Sequence, residues 1–491
     1  MKNIILASCI FATCTFTSCN GFLDVVPTNS IDANQSIQTA ADAQVIVRGL
    51  MSKMASGSYY GRNFPLYADT KGGDITITSQ GRGYDYLYVF NHSKNTNNYS
   101  SIWSQGYHCI AQINDLLSEI EKLKANGSTE NFNSSIGQAL TARAIIYFDL
   151  VRLYGEPYSK NKTALGVPIT LTRLTMQDQL GRNTVEENYT QILKDLKDSE
   201  SLLPKTKTDG FLNYYANKAI QARAYLYMED FTNALTAAES IITPNVYKLY
   251  ENSEWVSSWT SEFGKESIFE LGIYPKEGDL GNTSLGAYYR RRGHPNTTIA
   301  AGYFTASTDF INLLNEDSND VRKGVMSNDE TSNTRFGASY KYSGSTTLAG
   351  DKKTPSNTTA VNIKVIRLSE VYLIAAEAAL RHNTPDLVKA STYLNAIRKR
   401  SPNLTPSDQT SITMDMIANE RSKELFTEGH RFFDMMRWNK SITFDDGLGN
   451  ISTIHRDKTI DRTFYKTLLP IPLGEVDANT VIQSQQNPGY N

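Results

Sequence analysis

The chain has 491 residues, 40% of them hydrophobic and 20% charged, which suits a buried core and not a disordered tail. Its 49 Lys and Arg stand against 51 Asp and Glu, and a formal charge of −2 argues against a nucleic-acid binder held by bulk electrostatics. Past the first twenty residues no run approaches about 18 consecutive apolar positions, which excludes a polytopic helical membrane protein.

Met1-Lys2-Asn3 carries one positive charge, and Ile4 to Phe16 is an apolar run of signal-peptide length. Cys9, Cys14 and Cys19 all lie near it. Phe16-Thr17-Ser18-Cys19 sets small residues before a cysteine after an apolar segment of workable length. Residues 1–18 are therefore read as a lipoprotein leader and Cys19 as the acylated N-terminus. The competing reading is an ordinary secretory signal or an N-terminal transmembrane anchor. With Cys19 acylated, Cys109 has no partner and the exported chain has no disulfide. Two or more acyl chains suffice for stable anchoring on a bilayer.

In chain order, 37–56 and 99–125 show helical apolar spacing, the latter through Ile102, Trp103, Ile110, Ile113, Leu116 and Ile120. Residues 137–154 read as a strongly buried helix stopped by Gly155 and Pro157. Thr184-Val185-Glu186-Glu187 is a capping box that opens the next helix. Residues 213–228 with 231–242, and 366–381 with 386–399, form helix pairs with alanines at the crossing points. Arg143-Ala144-Ile145-Ile146-Tyr147 starts a segment of the same kind. Small residues there let paired helices approach closely, as in tetratricopeptide-like repeats, although that repeat's full consensus is absent. The predicted class is mostly α: a helix-pair scaffold over about 31–250 and 361–440, with a folded, loop-rich lobe over 251–360. That lobe is rich in Gly, Ser, Thr and Asn, contains short strand-like runs such as 268–274, and carries many aromatics. The tail 441–491 reads as loops and short strands.

Catalytic signatures are sparse. The sequence has no HExxH, GxSxG, Walker loop or CxxC, and the histidines at 92, 108, 294, 382, 430 and 455 lack metal-ligand spacing. A two-carboxylate glycosidase stays open, since its acid pair need not be close in sequence. Glu420 to Trp438 is the densest charged motif; read as a helix, it puts Glu420, Glu424 and Glu428 on one face. Its functional reading is an acid/base cluster of Glu428, His430 and Asp434. The favoured reading is a partly buried ion-pair network in which Arg421, Arg431 and Arg437 neutralise the acids. Arg290-Arg291-Arg292-Gly293-His294 is the compact basic run of the lobe, either a carboxylate or acidic-sugar contact or a solvated loop. No cofactor or metal is predicted; Asp317, Asp320 and Asp329 permit a Ca²⁺ without indicating one.

Five ordered segments carry a resemblance: Cys19 to Pro27, Arg143 to Gly155, Arg367 to Ala378, Glu420 to Arg431 and Gln486 to Tyr490. Together they resemble the SusD-like (RagB/SusD) outer-membrane nutrient-binding lipoproteins of Bacteroidetes, from residue 19 to the end as one domain. The resemblance implies a mostly helical fold with tetratricopeptide-like pairs. It also implies a lipid-anchored outer-membrane lipoprotein, facing the cell exterior, that passes an oligomeric nutrient to a SusC-like TonB-dependent transporter. Sugar rings stack on flat Tyr and Trp faces while polar groups take the hydroxyls. Trp255, Trp259, Tyr288, Tyr289, Arg290 and Arg291, with Tyr84 and Tyr86 on a predicted strand 84–88, are therefore the candidate ligand contacts, with plain packing as the competing role of each ring. The leading function is glycan capture without catalysis. The alternatives are the same scaffold binding peptides or another nutrient, and a helical glycoside hydrolase.

Overall fold

The computed structural model describes residues 37–81, 83–95, 99–175, 177–292, 299–342, 359–449 and 451–490. Cys19, the leader and His294 lie outside the described residues.

Helix α1 (Ala40–Met54) opens on a Thr39/Asp42 capping box and buries Val47, Leu50 and Met54. Helix α2 (Asn63–Thr70) and the single turn α3 (Asp85–Tyr88) follow. The long α4 (Ser100–Ala125) turns its apolar stripe inward, as its 3.6-residue spacing requires. Helix α5 (Asn133–Tyr154) has apolar or small residues on almost every side, so it serves as a central post packed by α4 and, beyond the one-turn α6 (Tyr158–Asn161), by α7 (Val185–Glu200). The capping box of α7 forms as spelled in the sequence: Glu187 N–H donates to Thr184 Oγ1 at 3.2 Å, and Thr184 N–H donates to Glu187 Oε2 at 2.7 Å.

The scaffold continues in pairs. Helices α8 (Tyr214–Tyr227) and α9 (Phe231–Ile242) pack together through the buried Ala222, Ala234 and Ala238. The loop-rich lobe follows, with the short helices α10 (Asn252–Ser258), α11 (Leu285–Tyr289) and α12 (Thr308–Leu314). Helices α13 (Leu368–Arg381) and α14 (Leu387–Arg398) pair through the buried Ala376 and Ala390, and α13 also packs on α9. Helices α15 (Met414–Glu424) and α16 (Arg431–Arg437) and the short α17 (Leu473–Ala478) complete the described helices.

The strands are short, and all four pairs are antiparallel. Strand β1 (Ile75–Ile77) pairs with β3 (Phe304–Ala306) in the register Ile75↔Ala306. Strand β2 (Ser267–Leu271) pairs with β6 (Ile363–Arg367), tying the lobe to the start of α13. Strands β4 (Met326–Ser327) and β5 (Ala338–Ser339) pair inside the lobe, and β7 (Ile442–Thr443) and β8 (Thr459–Ile460) in the tail. Among the described residues no helix is long and apolar enough to cross a membrane.

Two local expectations are corrected. Residues 85–88 form the helical turn α3, with Tyr84 as its N-cap, and not a strand, so Tyr84, Tyr86 and Tyr88 do not line one strand face. The segment 420–438 is not one helix: α15 stops at Glu424, Thr427 and Gly429 take positive φ of 63° and 84°, and α16 starts at Arg431. Glu428 therefore lies in the corner, off the helix that carries Glu420 and Glu424.

Candidate ligand-binding face

Three separate segments converge beside the β1–β3 ribbon. The turn α3 delivers Tyr86, with Tyr84 at its N-cap, α11 delivers Tyr288, and the residue entering β3 is Tyr303. Backbone bonds fix the last two together, with Tyr303 N–H donating to Tyr288 O at 3.1 Å. Ring centroids are 5.6 Å apart for Tyr84–Tyr86, 4.9 Å for Tyr84–Tyr288 and 5.0 Å for Tyr288–Tyr303. These separations lie in the range of mutually attractive aromatic pairs. Tyr84, Tyr86 and Tyr303 are half-buried, while Tyr288 is enclosed beneath them. Tyr84 itself holds a φ of 23°, uncommon for a residue with a side chain, so surrounding contacts have to maintain it.

Arg62 frames one side. Its guanidinium lies 5.1 Å over the Tyr84 ring and donates to Thr283 O at 3.2 Å. The other rim holds the ion pair of Arg292 with Glu330 at 2.9 Å. Burial raises the phenol pKa values of Tyr86 and Tyr288, so both keep their O–H donor at neutral pH. The face thus offers partly exposed rings, neutral hydroxyls, the Arg62 guanidinium and a charge-paired Arg292, the side-chain set that suits a polyol with apolar C–H faces.

Of the residues singled out from the sequence, the fold brings Tyr84, Tyr86 and Tyr288 together. Arg62 and Tyr303, which carry no local signature, join them only through the tertiary fold.

The remaining candidates sit elsewhere. Trp255 is 0% exposed and Trp259 3%, in a small core of their own with Val325. Trp255 Nε1–H donates to Glu424 Oε1 at 3.2 Å, and Lys341 lies 4.7 Å and Arg367 5.1 Å from the Trp259 ring. With both rings enclosed, neither has a face on which a sugar could stack, and their expected place in a surface platform is corrected. Tyr289 and Arg290 are likewise buried. Tyr289 O–H donates to Asp69 at 3.1 Å, and Arg290 donates to Tyr342 O at 2.6 Å, so both support the face from beneath. Burial pushes the Asp69 carboxyl up to about 8. Arg291 is half-buried and lines a recess with Tyr303, Asp329 and Glu330.

The acidic motif is buried and charge-paired. Glu420 meets Arg322 at 3.0 Å and Lys423 at 2.8 Å. Glu424 meets Arg367 at 3.0 Å, and Glu428 meets Arg367 and Lys341, each at 2.7 Å. Arg421 serves Asp434 at 3.0 Å, and Arg437 serves Asp434 at 2.8 Å together with Glu377. Arg431 reaches Asp74 at 3.2 Å. The partners of Glu420, Glu424 and Glu428 thus come chiefly from other segments, and not from the motif's own arginines. Nearby cations hold Glu424 down at about 2 against the burial that would raise it. Glu428 and Asp434 face these partners and His430 lies 3.9 Å from Glu370, and the recess that His430 and Asp434 line holds only about 10 Å³.

The three aspartates considered for Ca²⁺ do not share a site. Asp317 accepts from Asn403, Asp320 from Arg322 and Asp329 from Thr305. Among the described residues no group of three or more His, Cys, Asp or Glu is placed to hold a metal ion.

Known proteins give the architecture its context. The family model described as the SusD family matches residues 312–490, and one described as starch-binding, associating with outer membrane, matches residues 21–226. A SusD superfamily crystal structure from Bacteroides thetaiotaomicron is 32% identical, covers 92% of this chain and 100% of its own, and superposes with a TM-score of 0.82. A second, from Bacteroides vulgatus, is 30% identical, with 93% and 100% coverage and a TM-score of 0.83. SusD-like protein P2 of Formosa agariphila is 24% identical over 97% of both chains. A laminarin binding SusD-like protein shares the fold at 21% identity, with 92% and 100% coverage and a TM-score of 0.72. From its helix pairs to its terminal Asn-Pro-Gly-Tyr, this chain belongs to the SusD superfamily.

Proposed function

We propose that the protein captures an oligosaccharide on the Tyr84–Tyr86–Tyr303 face and passes it, uncleaved, to a SusC-like TonB-dependent transporter. Anchoring through acylated Cys19 would keep it on the outer membrane, facing outward. The observation that carries the binding reading is the convergence of the half-buried Tyr84, Tyr86 and Tyr303 over the enclosed Tyr288, with the Arg62 guanidinium beside Tyr84. Stacked C–H faces and polar rim contacts are how aromatic sites hold sugars. The starch-binding description of the matching model and the laminarin-binding relative agree with a glycan as ligand, without naming the sugar. The charge-paired burial of the one dense acidic motif supports capture without cleavage.

The test is a native affinity gel of the soluble protein against plant, host and microbial polysaccharides. Retardation by one polysaccharide family is expected. The Tyr84→Ala/Tyr86→Ala double variant should lose at least tenfold in affinity with an unchanged melting curve. Undiminished retardation would remove the tyrosine face. Heat from a peptide mixture with silence on every glycan would replace the sugar by a peptide. New reducing ends after incubation would show cleavage.

A further inference from the structure

A second recess lies beside the tyrosine face, and none of the residues considered so far forms its walls. It is a cleft of about 450 Å³ between the end of α1, the loop around Gly210 and the loop that follows β2. Its volume falls in the roughly 300–1,000 Å³ range of small-molecule sites. Its floor is apolar, with Met51, Ala55 and Ile273. At its mouth stands Tyr274, 56% exposed and the most exposed tyrosine among the large hydrophobics of the described residues.

That ring is positioned. A Cβ on Gly272 would lie only 3.0–3.1 Å from Tyr274 Oη, Cε2 and Cζ, so the phenol is braced against the Gly272 backbone and its other side is turned to solvent. Phe211 lines the opposite wall, and Ser56 Oγ, buried in the cleft wall, makes no hydrogen bond among the described residues. The rim carries Arg48 and Lys53 against Glu277 and Asp209, the latter paired with Lys207. Charges of mixed sign suit a neutral, hydroxyl-rich ligand better than a polyanion or polycation.

The cleft adjoins the tyrosine face through Gly57. A Cβ there would stand 2.9 Å from Leu280 Cδ1, which lines the cleft, and 3.7 Å from Arg62 Cζ, which covers Tyr84. We propose that this cleft is a second glycan subsite, taking the end of the same neutral oligosaccharide whose other part lies on Tyr84 and Tyr86, with Tyr274 as its stacking residue. The inference rests on the glycan reading above and extends it: the protein selects for chain length as well as sugar type.

The experiment is calorimetry with β-1,3-, β-1,4- and α-1,4-linked gluco-oligosaccharides and manno-oligosaccharides, each as a ladder from dimer to octamer. The wild type, Tyr274→Ala and Tyr84→Ala/Tyr86→Ala are compared. Wild-type affinity should climb with chain length before levelling off. Tyr274→Ala should match wild type on the shortest binding oligomer and lose about tenfold on the longest, which is about 1.4 kcal/mol. Ser52→Trp, placed at an exposed α1 position on the cleft wall, should produce the same length-selective loss by filling the space. If both cleft variants match wild type at every length while the Tyr84/Tyr86 variant fails, the second subsite is wrong and the glycan face stands. If no oligosaccharide binds any of the proteins, both readings fall together.

Discussion

Trp259 stands where three cationic side chains converge: Lys341, Lys364 and Arg367 lie 4.7, 5.5 and 5.1 Å from its ring. Its π face offsets their desolvation while its edge packs on Trp255 at 5.7 Å. Truncation leaves a cavity beside buried charge, so Trp259→Ala should cost about 3–5 kcal/mol. A urea midpoint reads that loss, and the fraction that remains folded should bind glycan as wild type does. His430 supplies a second residue-scale prediction. Burial, more than any charge, pushes its imidazole down to about 4, even with Glu370 at 3.9 Å favouring the cation; Arg223 and Arg421 act with burial, and Asp434 against it. The unfolded chain takes up this proton near the ordinary pKa of about 6.5. Between about 6.5 and 4 the unfolded state therefore binds more protons, and stability falls as pH falls. Glu370 and Glu424, held at about 2, extend the loss from about 4.5 downward. Asp69, pushed up to about 8, acts in the opposite sense over this range, and the buried His92, also held down, acts in the same sense. The His430 share is therefore read as a difference: from pH 7.5 to 4.5 wild type should lose more melting temperature than His430→Gln, and parallel curves would assign the acid sensitivity to another group.

At the scale of elements, the corner between α15 and α16 shows what local pattern can and cannot specify. Leu425 to His430 carries Leu425 and Glu428 in step with the preceding helix, so a reader of periodicity runs the helix through it despite Gly429. The chain instead turns there because Gly429 N–H donates to the buried Asp69 at 2.9 Å, a partner 360 positions away. Gly429 accepts the turn with φ 84°, and a Cβ there would stand 3.0 Å from Pro65 Cα. Gly429→Ala should therefore cost about 1–3 kcal/mol from the left-handed backbone conformation alone. Calorimetric melting checks it, and an unchanged transition would mean that the corner relaxes freely. The helix pairs present the opposite case. Alanines at 222, 234, 376 and 390 mark their own crossing points, because close helix approach demands small side chains wherever it occurs.

For the whole molecule, the central question is what holds it at a membrane, since no described helix is long and apolar enough to cross one. If Cys19 carries the acyl chains, wild-type protein should stay in the membrane fraction through high-salt washes and leave it only with detergent. Cys19→Ser should move it to the soluble fraction with its melting curve intact. A Cys19→Ser protein that remains with the membrane would overturn acylation at this position and favour an uncleaved N-terminal anchor.

The class of fold and the helix pairs were legible in the order of the residues, because helix periodicity, the Thr184–Glu187 capping box and alanine crossings are properties of neighbours within a few positions. The ordered motifs likewise pointed to the SusD superfamily. The candidate face was half legible: an aromatic-rich stretch announces rings but not whether they end inside or outside. Burial is settled by what arrives from elsewhere in the chain. Lys341, Arg367 and Glu424 close over the two tryptophans, whereas Arg62 and Tyr303 join Tyr84 and Tyr86 at the surface. The side of the molecule that a ring faces is a long-range packing outcome, and no window of sequence around the ring contains it.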